Sequence, residues 1–197
     1  MEYYILALFY SLSGFLMKFS DDAFDERLDK KLAIITGILC GVLIGILAVS
    51  NLDAAYIFFA ILIGTLLSKK IDGVHHILTL LAFVSITLIF GLPFLSIPTL
   101  LICSLGAYLD EIGNDNPDLE KYRFWNFFFK YRFTLKVVIV LLGLGGYIQS
   151  LTGLSLPYID FLSISTIFYF ILFEVSYELS GYSFSRIYQG IYNLKPN

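Results

Sequence analysis

The segment LAIITGILCGVLIGILAVS, residues 32–50, carries nineteen consecutive uncharged residues. As an α-helix rising about 1.5 Å per residue it extends about 28 Å, close to the roughly 30 Å hydrocarbon core of a bilayer. Its apolar positions are continuous and lack the period-two alternation of an outer-membrane barrel strand, so it reads as a membrane-spanning helix. Further stretches of the same kind surround it: Tyr3–Phe19, Ala54–Ser68, His76–Leu92, Phe94–Leu109, Thr134–Ser150 and Tyr158–Leu179. Between the fourth and fifth stretches, Gly91-Leu92-Pro93 and Pro98 mark either a tight turn or one broken helix. Taking the turn, the expected fold is all-α: a polytopic helical membrane protein, a bundle of about seven transmembrane helices forming one domain over residues 1–197.

Composition agrees. Of 197 residues, 58% are hydrophobic and only 15% charged. Soluble domains carry roughly 25% charged residues, so this chain has too little polar surface to cover a water-exposed fold. A soluble enzyme domain and a disordered chain are excluded, and a net charge of −3 excludes a nucleic-acid binder. Cys40 and Cys103 lie inside apolar runs, with no spacing for a zinc site or a disulfide framework, and read as packing residues.

The bases provide an independent register. Lys18, Arg27, Lys30 and Lys31 follow the first stretch; Lys69 and Lys70 the third; Lys121, Arg123, Lys130, Arg132 and Lys136 the fifth; Arg186 and Lys195 the seventh. The other connections have none. By the positive-inside rule the N-terminus is expected outside and the C-terminus in the cytoplasm, in a cell membrane. The first stretch lacks a basic leader and an A-x-A cleavage site, so it is expected to remain as a helix. Gly37, Gly41 and Gly45, four residues apart, strip one helix face, either for packing within the bundle or for a helix–helix dimer.

Every carboxylate except Glu2, Asp53 and Asp160 falls on the inner side or just within it. Any charged site should therefore open toward the cytoplasm. The densest run is Ser20-Asp21-Asp22-Ala23-Phe24-Asp25-Glu26-Arg27-Leu28-Asp29. If the first helix continues through it, Asp22, Asp25 and Asp29 share one face, and their repulsion needs an offset. Two readings are open: a solvated acidic cap, or oxygen ligands for a hard divalent cation such as magnesium. A second acidic run, Asp110 to Asp118, places Glu111 and Asp115 four apart; alone it is an ordinary acidic loop. Lys69 and Lys70 read either as phosphate-binding lysines or as positive-inside anchors. His75 and His76, adjacent on a helix, point about 100° apart and are not expected to share a metal.

With these elements placed, the chain resembles the UbiA superfamily of membrane-embedded prenyltransferases. The first motif of that family, N/D-D-x-x-D-x-x-x-D, is matched by Asp21-Asp22-Ala23-Phe24-Asp25-Glu26-Arg27-Leu28-Asp29. The second, D-x-x-x-D, is approached by Glu111-x-x-x-Asp115, with Glu in the first position and Asp110 just before it. The resemblance implies that Asp21, Asp22, Asp25, Asp29, Glu111 and Asp115 hold magnesium on a prenyl diphosphate or related lipid phosphate. It implies that the two motifs converge at one inner opening, and that Lys69 and Lys70 act on the phosphate in catalysis.

Lys121 to Phe133 interleaves cations with aromatics and reads as an interfacial belt rather than a nucleic-acid patch. Glu174, inside the last stretch, is either a proton or cation site or a group reaching the polar mouth. The tail from Gly181 reads as a short interfacial segment. Two functions follow as expectations: a magnesium-dependent transferase on a lipid-borne diphosphate, or a small transporter or channel for a cation or metabolite with an acidic vestibule. A third reading is a structural membrane subunit with a stable partner.

Overall fold

Each of the seven apolar stretches is helical over most of its length in the computed structural model, which describes residues 2–71 and 73–192. The described residues form α1 (Tyr3–Asp25), α2 (Lys30–Ser50), α3 (Leu52–Leu67), α4 (Val74–Phe90), α5 (Ile97–Asn114), α6 (Pro117–Glu120), α7 (Arg123–Lys130), α8 (Phe133–Thr152) and α9 (Ile164–Ile191), with no strand among them. The fold class is all-α. Asp72 and Lys195, which the charge pattern assigns to the inner face, lie outside the described residues. Two of the described helices, α2 and α8, are long and apolar enough to cross a membrane; α3 and α4 are apolar but shorter.

Local chemistry sets the helix ends. Asn51 caps α3 by accepting from Ala54 N at 2.8 Å, and Ser96 is the N-cap of α5, with Pro98 in the first turn where its missing N–H removes no bond. Residues 91–96 are non-helical, and Gly91 takes φ 80°, so α4 and α5 are two helices joined by a connection and not one broken helix. α3 stops in a Schellman arrangement: Lys69 N–H donates to Leu66 O, Lys70 N–H to Thr65 O, and Lys69 sits at φ 59°.

The chain divides into two interleaved units: Met1–Leu47 with Gly73–Ile89 and Tyr169–Asn197, and Ala48–Asp72 with Phe90–Phe168. In the first, α1 meets α9 so closely that a Cβ on Gly14 would lie 2.1 Å from Phe173 O. The glycine stripe of α2 faces α4: added Cβ atoms on Gly37, Gly41 and Gly45 would meet Thr79, Thr79 with Ala82, and Ile86. The stripe is thus filled by a helix of the same chain, the packing use of the two considered. Phe19, Ala23, Ala33 and Phe184 form a buried cluster joining the end of α1, the start of α2 and the end of α9.

In the second unit α3 packs on α5, and α5 on α8 and α7. α5 is polar and small on its inner face, burying Thr99, Cys103, Ser104, Gly106, Ala107 and Asp110, while Ile97, Leu101, Leu105, Leu109 and Ile112 stand exposed. The seventh apolar stretch starts helically later than its hydropathy implies, at Ile164 instead of Tyr158. Polar groups hold the intervening residues out of the helix. Tyr56 donates to Asp160 at 2.5 Å, Thr99 Oγ1 donates to Asp160 O, and Asp160 N donates back to Thr99 Oγ1. Asp53 then starts α9 by accepting from Ser163 N and Thr166 Oγ1. Asp53 and Asp160 are therefore structural. At its other end α9 stays helical to Ile191, where the sequence reading ended the span at Leu179 and made an interfacial tail of the rest.

Candidate functional site

The first acidic run does not form one helical face. α1 ends at Asp25; Leu28 takes φ 54°, and Asp29 N–H bonds back to Ala23 O. Asp29 instead precedes α2, where its Oδ1 accepts from Leu32 N at 3.1 Å. Its other oxygen accepts from Tyr188 on α9 at 3.4 Å and from Tyr192, just past the end of that helix, at 2.5 Å. The Tyr192 hydrogen bond, followed by that from Leu32 N, holds the Asp29 carboxyl below the usual carboxylate range. A carboxylate committed to a helix start and two tyrosines is a positioning group, which corrects the expected one-face arrangement of Asp22, Asp25 and Asp29.

Each remaining member has its own surroundings. Asp22 is buried and pairs with Lys18 at 2.7 Å across one turn, while its second oxygen is buried without a hydrogen bond. Asp21 faces His75 Nε2 at 3.6 Å and His76 Nδ1 at 3.8 Å. Asp25 is exposed at the helix end. The crowding that the sequence leaves to be offset is thus relieved locally by a lysine, tyrosines and backbone N–H groups.

In the second unit, Glu111 and Asp115 do converge on one cation. Lys70 Nζ lies 2.8 Å from Glu111 Oε2 and 2.9 Å from Asp115 Oδ1. Burial opposes the charge on Lys70, but the hydrogen bonds to both acids outweigh it and hold its pKa above the ordinary lysine value. The i, i+4 spacing on the last turns of α5 produces this fork, and the Schellman turn delivers Lys70 to it. Lys69 is exposed and contributes the left-handed residue of that turn. Gly113 and Asn114 at the end of α5, with Glu120, Asn126 and Lys130, line a cleft of about 300 Å³. Asp110 does not face a ligand: it is buried, and its two oxygens accept from Thr134 N at 2.9 Å and Leu135 N at 2.8 Å, starting α8. Arg132, the N-cap residue of α8, sits at φ 50° with no side-chain cap, so a carboxylate from α5 does this work.

The histidines depart most from expectation. Their rings lie 3.9 Å apart at the start of α4, and with Asp21 they form a group whose ligand atoms are all within 4.8 Å of one another. Adjacent Cβ atoms diverge on a helix, but imidazole nitrogens lie far enough out for two χ rotations to bring them together. Residue spacing gives no signal for this. Glu174 is buried in α9. The first motif and the histidines belong to the first unit, Lys70, Glu111 and Asp115 to the second. In comparisons with family models, curated proteins and solved structures, nothing matches this chain.

Proposed function

We propose that this chain is an integral membrane protein of seven spans, α1 to α5 with α8 and α9, N-terminus outside and C-terminus cytoplasmic, that acts on a lipid-borne phosphate. Support for the membrane comes from inverted helices. α5 buries its polar and small residues and exposes Ile and Leu, and α8 likewise exposes Val137, Leu141, Leu144, Ile148 and Leu151. A water-soluble helix does the reverse. Exposed Phe124, Trp125 and Phe127 on α7 suit a short helix lying in the headgroup layer.

The reaction class is a magnesium-dependent transfer from a prenyl diphosphate, and one observation carries it: the Lys70–Glu111–Asp115 fork in the same unit as the polar cleft of Asn114, Asn126 and Lys130. The donor set fits magnesium, being two hard oxygens that already meet on one positive charge. When bound there, magnesium supplies charge neutralisation for the departing diphosphate. Lys70, released from the fork, turns to a phosphate oxygen, while Lys130, Asn126 and Asn114 orient the headgroup. Asp29 and Asp110 take no part, since helix starts occupy them.

The test uses the full chain in detergent with geranylgeranyl diphosphate and magnesium. Thermal stabilisation by the pair, exceeding that by either alone, is expected, and Lys130→Met should weaken it by roughly tenfold in affinity, the loss of about 1.4 kcal/mol of charge-assisted binding. No joint stabilisation would end this reading. A second reading, coupled transport, draws on the α1–α9 contact of the first unit. There Ser13, Asp22, Glu174 and Ser180 are all buried, beside the half-exposed Lys18. It requires cation-dependent flux in proteoliposomes that Glu174→Gln abolishes.

A further inference from the structure

The end of α1 and the start of α4 bring three metal-binding side chains together, in the unit that does not contain Lys70 or Glu111. His75 is 2% exposed, and neither ring nitrogen has a hydrogen-bond partner. Buried polar groups are rarely left without a partner, so the site calls for a ligand. Phe24 stacks on the ring at 4.4 Å, and Gly73 leaves room for it: a Cβ there would lie 2.4 Å from ring atoms. The ring is therefore held in place with Nε2 directed at Asp21.

The separations discriminate between hydrogen bonding and coordination. Asp21 Oδ1 is 3.6 Å from His75 Nε2 and 3.8 Å from His76 Nδ1, beyond hydrogen-bond length. Metal–ligand bonds of about 2.0–2.1 Å place tetrahedral ligands about 3.3 Å apart, so the two separations from Asp21 need to close by only a few tenths of an ångström around an ion, within a group whose ligand atoms all lie within 4.8 Å of one another. Two imidazoles and one carboxylate favour a borderline first-row cation over magnesium, which prefers oxygen alone.

We infer that Asp21, His75 and His76 form a binding site for a divalent transition metal, zinc being the reference ion. Three protein ligands leave a coordination position open, and the His76 side chain, 34% exposed, gives it access to solvent. The ion ties the last turn of α1 to the first turn of α4.

Full-length protein in detergent, stripped with chelator, is titrated with cobalt as a spectroscopic stand-in and then with zinc in competition. One cobalt per chain is expected, with visible ligand-field absorbance that zinc bleaches and magnesium does not. Asp21→Asn and the half-exposed His76→Ala should each weaken binding by roughly tenfold or more, since even outer-sphere partners are worth that much. Asp118→Asn, an exposed carboxylate paired with Lys121, should change nothing. Metal-free thermal unfolding of each variant checks that it is folded, which avoids relying on the buried His75. Absence of cobalt absorbance, or absorbance that survives His76→Ala, overturns the assignment. The phosphate site plays no part in this titration, so its failure would leave the metal result intact.

Discussion

Asp110, Asp29 and Lys69 look catalytic by residue type, yet each secures backbone. Asp110 satisfies two N–H groups at the start of α8. Asp110→Ala leaves both without an acceptor and should lower stability by about 2–3 kcal/mol, read from thermal unfolding in detergent. Asp29 gives a pH signature. Its folded pKa lies below the ordinary value, so its contribution is complete above the unfolded pKa of about 3.9 and disappears as pH falls through the folded value. Amide exchange at Leu32 should accelerate over that acidic window, and Asp29→Asn should flatten the change. If protection at Leu32 were indifferent to acid, the cap would carry no energy. Lys69 occupies a left-handed position at φ 59°. Lys69→Gly should raise stability by about 1 kcal/mol, as expected for the turn and not for a phosphate ligand.

At the scale of elements, glycine spacing governs how the helices meet. A Cβ on Gly41 would lie 2.3 Å from Thr79 O and 2.9 Å from Ala82 Cβ, backbone and methyl that cannot swing away. Gly41→Ala should therefore push α2 off α4 and lower stability by about 1–3 kcal/mol. Gly190, near the end of α9 with nothing within 4 Å of its added Cβ, is the contrast: Gly190→Ala should stabilise by up to about 1 kcal/mol. The short aromatic helix α7 was legible as an amphipathic belt because cations and aromatics alternate from Lys121 to Phe133. Its Trp125, the only tryptophan, reports its depth. On the proposed interfacial placement, headgroup-level quenchers should dim its emission more than mid-bilayer ones.

For the whole molecule, the proposed orientation makes a labelling pattern. Cys40 and Cys103 are buried, so the native chain should resist maleimide. Ser155→Cys should then react with an impermeant maleimide on intact cells, and Lys121→Cys only after permeabilisation. Both reacting from one side would contradict an odd number of crossings with this polarity. The helices were readable because continuous apolar runs are a one-dimensional signal. The candidate sites were less so. Glu111 and Asp115 share a cation as their spacing implies, whereas the Asp22–Asp25–Asp29 face dissolves at a helix end that Leu28, not a glycine or proline, creates.

The sequence by itself determined where the helices lie, which loops collect charge, and which acidic pairs stand one turn apart. These follow from hydrophobic burial and helical period, both local along the chain. Only the tertiary structure decided what each charge does. Asp53 and Asp110 start helices distant in sequence, Asp29 holds two tyrosines within and just past the last helix, and Asp21 meets two imidazoles from α4. A carboxylate accepts a backbone N–H, a lysine or a metal ion with the same oxygens, so its role is set by which partner the fold brings within about 3 Å.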